Sequence, residues 1–158
     1  MIVEKTSHRT FTMKVLWWLS GIDGSSGDTT GGGESPRGGL PLAGKTVLVV
    51  EDEFFVGLEI AQTLEAAGAE IVGPARTIEE AAELMSDGTP DMAVLDVDLD
   101  GRYSFDLALD LQRRGIRVVF ATAHADDGSL FRGKVAGIPR IGKPTTPRAL
   151  LRALLPLS

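Results

Sequence analysis

From about residue 42 onward, two kinds of apolar pattern alternate along the chain. Lys45 to Val50 (KTVLVV) is a short, continuously apolar run, the pattern of a strand covered on both faces of a parallel sheet. Val56, Ile60, Leu64 and Ala67 then recur at helical spacing, and Gly68 is placed to stop that helix. Glu70 to Ala75 reads as a second strand. Ile78 to Ser86 reads as a second helix, entered through Thr77 as N-cap with Glu80 three residues on, a capping box. Met92 to Asp96 (MAVLD) is a third strand, Ser104 to Arg114 a helix carrying Leu107 and Leu111, and Arg117 to Ala123 (RVVFATA) a fourth strand. The pattern then weakens. Asp126 to Gly137 holds Gly128, Gly133 and Gly137 and predicts only a weak fourth helix. Arg140 to Gly142 predicts a short fifth strand and Thr146 to Leu155 a leucine-rich last helix.

Five strands alternating with helices imply an α/β fold, a doubly wound parallel sheet, because parallel strands need crossovers and crossovers are right-handed. The folded domain is expected over residues 42–158. Residues 1–41 are expected to be a disordered N-terminal extension and Gly-rich linker, since GIDGSSGDTTGGGESPRGG from Gly21 to Gly39 has almost nothing apolar to bury. Trp17 and Trp18 suggest a short docking element, although an upstream start, with Met13 as a second initiation point, is the plainer reading. The apolar run Val15 to Leu19 falls far short of the about 20 residues a membrane span needs, and no small-residue cleavage pattern follows it.

Composition narrows the field. With 43% hydrophobic residues the chain can bury a core, and its net charge of −6 argues against a nucleic-acid surface. The chain has no cysteine, which excludes disulfides and thiolate metal sites and fits a reducing, cytoplasmic setting.

Ligands in doubly wound sheets sit beyond the carboxyl ends of the strands. There, the first strand ends in Glu51 and Asp52, the third in Asp96, the fourth in Thr122 and the fifth in Lys143. Crowded carboxylates repel, so such a site suits a hard divalent cation with oxygen ligands, and Mg²⁺ fits carboxylate, water and phosphate together. A carboxylate beside that cation can attack phosphorus, which makes Asp96 the candidate nucleophile. Lys143 is then a point charge for phosphoryl oxygens and Thr122 a hydroxyl donor. Each residue alone has an ordinary explanation: a helix cap, a strand threonine, a solvated lysine. Capping, however, does not require an Asp at the third strand end or a Lys at the fifth.

VVEDE at Val49 to Glu53, VLDVDL at Val94 to Leu99, FATA at Phe120 to Ala123 and GKP at Gly142 to Pro144 resemble the signature positions of two-component response-regulator receiver domains, in order. The resemblance implies the flavodoxin-like strand order 2-1-3-4-5. It also implies Mg²⁺ held directly by Asp52 and Asp96, through a water by Glu51 and by the backbone carbonyl of Asp98, with a cis Lys143–Pro144 peptide. By the same resemblance Asp96 is the phosphoacceptor for a sensor histidine kinase or phosphotransfer protein, assisted by Thr122 and Lys143. The domain is then not an enzyme beyond slow self-dephosphorylation. FATAH at Phe120 to His124 is similar to the FATGY run of a subgroup of mostly single-domain, alphaproteobacterial receivers served by HWE-type kinases. Output is expected through protein binding or a homodimer, on a face of the fourth helix, fifth strand and last helix bearing Leu150, Leu151, Leu154 and Leu155; a phosphate sink is equally consistent.

Two departures stand out. The position three residues before the lysine, where many receivers carry an aromatic that swings inward, is Arg140. The glycines of residues 126–137 point instead to ordering of that segment as the response. The usual Pro after the third strand is replaced by Asp100-Gly101. Rival readings draw on the same aspartates. Asp96, Asp98, Asp100 and Gly101 open like a calcium-binding EF-hand loop, but the twelfth position is Leu107 and a strand precedes it. Asp96-x-Asp98 also resembles the nucleophile and acid of haloacid-dehalogenase phosphatases, where the motif belongs to the first core strand. A receiver fold that signals without phosphate is the third alternative. His124, two residues past Thr122, reads as an ordinary loop histidine, as does His8.

Overall fold

The computed structural model describes residues 39–155. The extension expected over residues 1–41, with Met13, Trp17 and Trp18, lies outside them up to residue 38.

Strand β1 (Thr46–Val50) leads into α1 (Phe54–Ala66), then β2 (Glu70–Ala75), α2 (Ile78–Leu84) and β3 (Met92–Leu95). A two-stranded ribbon follows, β4 (Asp98–Leu99) and β5 (Arg102–Tyr103), then α3 (Phe105–Arg113), β6 (Arg117–Thr122), β7 (Arg140–Gly142) and α4 (Pro147–Leu154). The main sheet is parallel in the order β2-β1-β3-β6-β7, which is 2-1-3-4-5 when its five strands are counted alone.

The continuous apolar runs divide by alternation, because successive side chains of a strand face opposite sides. Val47 and Val49 of β1, Val94 of β3 and Val119 and Ala121 of β6 pack with Ile60 and Leu64 of α1 and Leu150 and Leu154 of α4. Leu48, Val50, Ala93, Leu95, Val118 and Phe120 face the other way, onto Ala81 of α2, Leu107 and Leu111 of α3, and Phe131, Val135 and Ile138. Both faces are buried, so the strands carry no polar alternation. Leu42 is fully buried on the α1 side and its amide bonds the Ala67 carbonyl at 2.8 Å.

Three local outcomes differ from the pattern. Thr77 caps α2 by accepting from the Glu80 amide at 3.1 Å, but the Glu80 carboxylate reaches back to the Arg76 amide at 2.8 Å, one residue beyond the cap. No fourth α-helix forms between β6 and β7. Residues 124–138 close short turns, such as Leu130 N to Asp127 O at 3.1 Å, and one 3₁₀ turn, Gly133–Val135. The expected output face is therefore corrected: its helix is absent, and Leu150 and Leu154 are core residues at 0% exposure, leaving Leu151 and Leu155 half-buried. The third difference is the β4–β5 ribbon. Asp100 at φ 54° and Gly101 at φ 82° form its two-residue turn, the pairing of left-handed positions that an Asp-Gly hairpin loop uses.

Candidate functional site

Glu51, Asp52, Asp96 and Lys143 follow directly on the carboxyl ends of main-sheet strands, and Thr122 is the last residue of β6. The Glu51 amide bonds the Ala75 carbonyl and the Asp96 amide the Val50 carbonyl, both at 2.8 Å, so the ends of β2, β1 and β3 are tied in sequence. On the other side the Lys143 amide bonds the Thr122 carbonyl at 3.0 Å, tying β7 to β6. Asp52, Glu53, Asp96, Asp98, Asp100, Thr122, His124 and Lys143 are among the residues that line one cleft of about 340 Å³ at these ends.

Glu51 does not line the cleft; it lies beneath it at 1% exposure. Carboxylate oxygens of Glu51, Asp52 and Asp96 nonetheless lie within 4.8 Å of one another. Lys143 Nζ sits 2.7 Å from Asp96 Oδ2 and 2.6 Å from Glu51 Oε2. The first contact is a hydrogen bond; Glu51 Oε2 has an ion pair to the same ammonium but no hydrogen bond of good geometry. Burial pushes the Glu51 carboxyl up to about 7, with the Asp96 charge adding to the rise and Lys143 opposing it. For Lys143 burial acts to lower the ammonium, but the Asp96 and Glu51 carboxylates outweigh it and hold it above its usual value.

Three hard oxygen donors around an acidic cleft, one of them buried without a full complement of hydrogen bonds, fit a small divalent cation such as Mg²⁺. Asp98 lies on the hairpin that flanks the cleft. Its Oδ1 accepts from the Gly101 amide at 2.7 Å and closes that hairpin. Leu107 is buried in the core, which removes the closing ligand of a calcium loop. The Lys143–Pro144 peptide is cis.

Thr122 is buried, and its Oγ1 accepts from the His124 amide at 3.1 Å, which leaves the hydroxyl proton to be donated into the cleft. Two supporting residues escape sequence reasoning. Ser104 occupies the N-cap position of α3, yet it makes no cap bond; it is fully buried and its hydroxyl donates to the Asp96 carbonyl, anchoring the candidate nucleophile's backbone. Arg76 Nε donates to the Asp52 carbonyl at 3.1 Å. Three residues earlier, β2 breaks register with β1 around Gly73, where φ is 105° and a Cβ would stand 2.7 Å from the Val49 carbonyl oxygen. No residue-type signal marks either role, since both side chains bind backbone carbonyls.

The Lys143 and Asp52 sides of the cleft are thus joined around Asp96, and the comparisons with known proteins agree on what such a domain is. Residues 47–155 match the response regulator receiver domain. The chain is 33% identical over 118 residues to the phosphate regulon transcriptional regulatory protein PhoB of Pseudomonas aeruginosa, covering 72% of this chain and 51% of that protein. It is 37% identical over 101 residues to the sensory transduction protein LytT of Bacillus subtilis, covering 62% and 42%. The chain thus spans about half the length of the curated relatives it matches. Among solved structures it is similar to the response regulator PhyR of Brucella abortus, with 31% identity, TM-score 0.60 and coverage of 70% of this chain and 45% of that one. It is also similar to the anti-anti-sigma factor PhyR of Bartonella quintana, with 27% identity, TM-score 0.59 and coverage of 70% and 46%. The chain belongs to the response-regulator receiver domain family.

Proposed function

We propose that this domain accepts a phosphoryl group on Asp96 from the phosphohistidine of a sensor kinase or phosphotransfer protein and passes the signal on by binding another protein. The observation that carries this reading is the convergence of Lys143 on Asp96 Oδ2 and Glu51 Oε2, at 2.7 and 2.6 Å, inside a carboxylate cluster. In the transfer, an Asp96 carboxylate oxygen attacks phosphorus, the phosphorus–nitrogen bond to the donor imidazole breaks, and its electron pair leaves with the imidazole. Lys143 moves from carboxylate to phosphoryl oxygen as a neutralising point charge, and Thr122 donates its hydroxyl proton to another. Glu51, Asp52, Asp96 and the Asp98 carbonyl would hold Mg²⁺, which supplies charge neutralisation at the equatorial oxygens.

Beside the cleft, Phe54 and Phe55 open α1 at 60% and 81% exposure, an apolar contact suited to a protein donor. The relative described as an anti-anti-sigma factor supports output through a protein partner. The acidic balance of the chain, net −6, speaks against nucleic acid. No helix among the described residues is long and apolar enough to cross a membrane; a cytoplasmic setting is part of this reading. So is the absence of turnover beyond slow self-dephosphorylation.

Mass spectrometry after incubation with Mg²⁺ and acetyl phosphate tests the proposal. The expected result is a gain of one phosphoryl group that disappears in Asp96→Asn. Unmodified protein under several donors would favour the phosphate-independent interaction module. Multiple turnover of a phosphatase substrate, lost in Asp98→Asn, would point to the dehalogenase class.

A further inference from the structure

The three carboxylates that lie within 4.8 Å of one another are held unequally. Asp96 is fixed from several sides: its amide bonds the Val50 carbonyl at 2.8 Å, Ser104 donates to its carbonyl and Lys143 holds Oδ2 at 2.7 Å. Glu51 is buried, with its amide on the Ala75 carbonyl and its Oε1 accepting from the Glu53 amide at 3.2 Å. Asp52 has no such support. It lies between β1 and α1, outside any helix or strand, and is only half-buried. Among the described residues its carboxylate has no hydrogen bond, and its backbone is tied at a single point, the 3.1 Å bond from Arg76 Nε to its carbonyl.

Arg76 is itself pinned at the start of α2. Its amide donates to Glu80 Oε2 at 2.8 Å, and the Glu80 amide donates in turn to Thr77 Oγ1 at 3.1 Å. The side chain then reaches back across 24 residues of sequence to the Asp52 carbonyl. The guanidinium is exposed and forms no ion pair among the described residues, so this carbonyl is its one polar partner there.

Two effects of Arg76 on a bound cation oppose each other. Its charge beside an acidic cleft repels a divalent ion, but an exposed charge is screened by solvent and salt. Its hydrogen bond acts instead on the position of a ligand, and a small cation that demands near-octahedral oxygens is sensitive to that position. The positional effect is the larger.

We infer that Arg76 is a positioning residue for the cation: by holding the Asp52 carbonyl it keeps the Asp52 carboxylate beside those of Glu51 and Asp96, and so sets the affinity for Mg²⁺ rather than the rate of phosphoryl transfer. This deepens, and rests on, the reading of the cluster as a Mg²⁺ site.

Titration calorimetry with Mg²⁺ on the full chain tests this through a pair of substitutions. Arg76→Gln keeps an N–H donor as many bonds from Cα as Nε and loses the charge, whereas Arg76→Met loses both. Because the replaced side chain is exposed, both variants are expected to unfold in urea close to the wild-type midpoint. Arg76→Met should bind Mg²⁺ about tenfold more weakly than Arg76→Gln, which binds at least as tightly as the wild type. Phosphorylation by acetyl phosphate gives a second readout. In Arg76→Met the Mg²⁺ concentration for half-maximal rate should rise about tenfold, while the rate at saturating Mg²⁺ stays within about twofold of wild type.

Equal Mg²⁺ affinities in the Met and Gln variants overturn the inference, because the hydrogen bond then contributes nothing. A lowered saturating rate with an unmoved half-maximal concentration also overturns it, since Arg76 would then act on the transfer itself. A wild type that binds no Mg²⁺ in the calorimeter sinks the metal reading of the cluster and this inference with it. Wild-type binding with matching variants sinks the inference alone, and calorimetry decides this even where no phosphoryl adduct forms.

Discussion

The two edges of the cleft are built by different means. On the β1–β3 edge, Glu51, Asp52 and Asp96 are fixed by backbone: their strand ends bond to one another, Ser104 holds the Asp96 carbonyl and Arg76 the Asp52 carbonyl. On the β6–β7 edge, Thr122 runs into a segment without an α-helix, anchored by side chains: Phe131, Val135 and Ile138 in the core, and Arg140 on the Ala125 carbonyl and the Phe131 ring. Charge chemistry demands fixed geometry, because carboxylates brought within 4.8 Å of each other must stay where a cation can serve all three. Signalling demands the opposite, a part whose two arrangements differ by little free energy. In the phosphoacceptor reading proposed above, these demands fall on opposite edges of one cleft, and Lys143, in contact with Glu51 and Asp96, is the bridge between them.

Removing that bridge should have the largest effect. In Lys143→Met, Glu51 and Asp96 lose their common cation; stripping one partner from a buried pair costs about 3 kcal/mol at pH 8. Urea denaturation should show a smaller loss at pH 6, where Glu51, with its carboxyl near 7, is largely protonated and one fewer charge is left without its cation. Phosphorylation by acetyl phosphate should slow about a hundredfold or more.

Next comes Ser104→Ala on the rigid edge. It leaves the buried Asp96 carbonyl without its donor and should cost about 1–3 kcal/mol by denaturation. If the rigid edge matters to chemistry, adduct formation slows as well; an unchanged rate would mean that the strand ends alone position Asp96.

The pH dependence of the resting protein follows from Glu51. Its folded value near 7 lies above the ordinary 4.5, so between these values the native state binds a proton that the unfolded chain has released. Its contribution to stability is therefore complete at low pH and is lost as pH rises from about 4.5 through about 7. Glu51→Gln should flatten that slope. Mg²⁺ requires the ionised carboxylate, so its affinity, measured by calorimetry, should strengthen as pH rises through about 7 and fall away below it.

The smallest effect should come from Thr77→Ala, which removes the α2 cap far from either edge. A loss of about 1 kcal/mol in stability with an unchanged phosphorylation rate is expected. A slowed rate there would show that the cleft draws on the whole β2–α2 unit and would blur the division between its edges.

Much of this was open to reading in the chain itself. The apolar runs ending in Glu51-Asp52, Asp96, Thr122 and Lys143 dictate a parallel sheet and the residues at its carboxyl edge, because strand period and burial on both faces are local properties. The Asp100-Gly101 hairpin is equally legible, since that dipeptide is a turn signal in its own right, although the same aspartates also have the spacing of ligands. The last-helix leucines show the reverse: Leu150 and Leu154 look like a docking stripe until the sheet they cover is in place. The burial of Glu51, the anchoring of Asp96 by Ser104 and the grip of Arg140 on Ala125 and Phe131 belong to the tertiary structure alone. Each joins residues distant in the chain through a backbone carbonyl, a ring face or loss of water, and none of these partners is encoded in the identity of neighbouring residues.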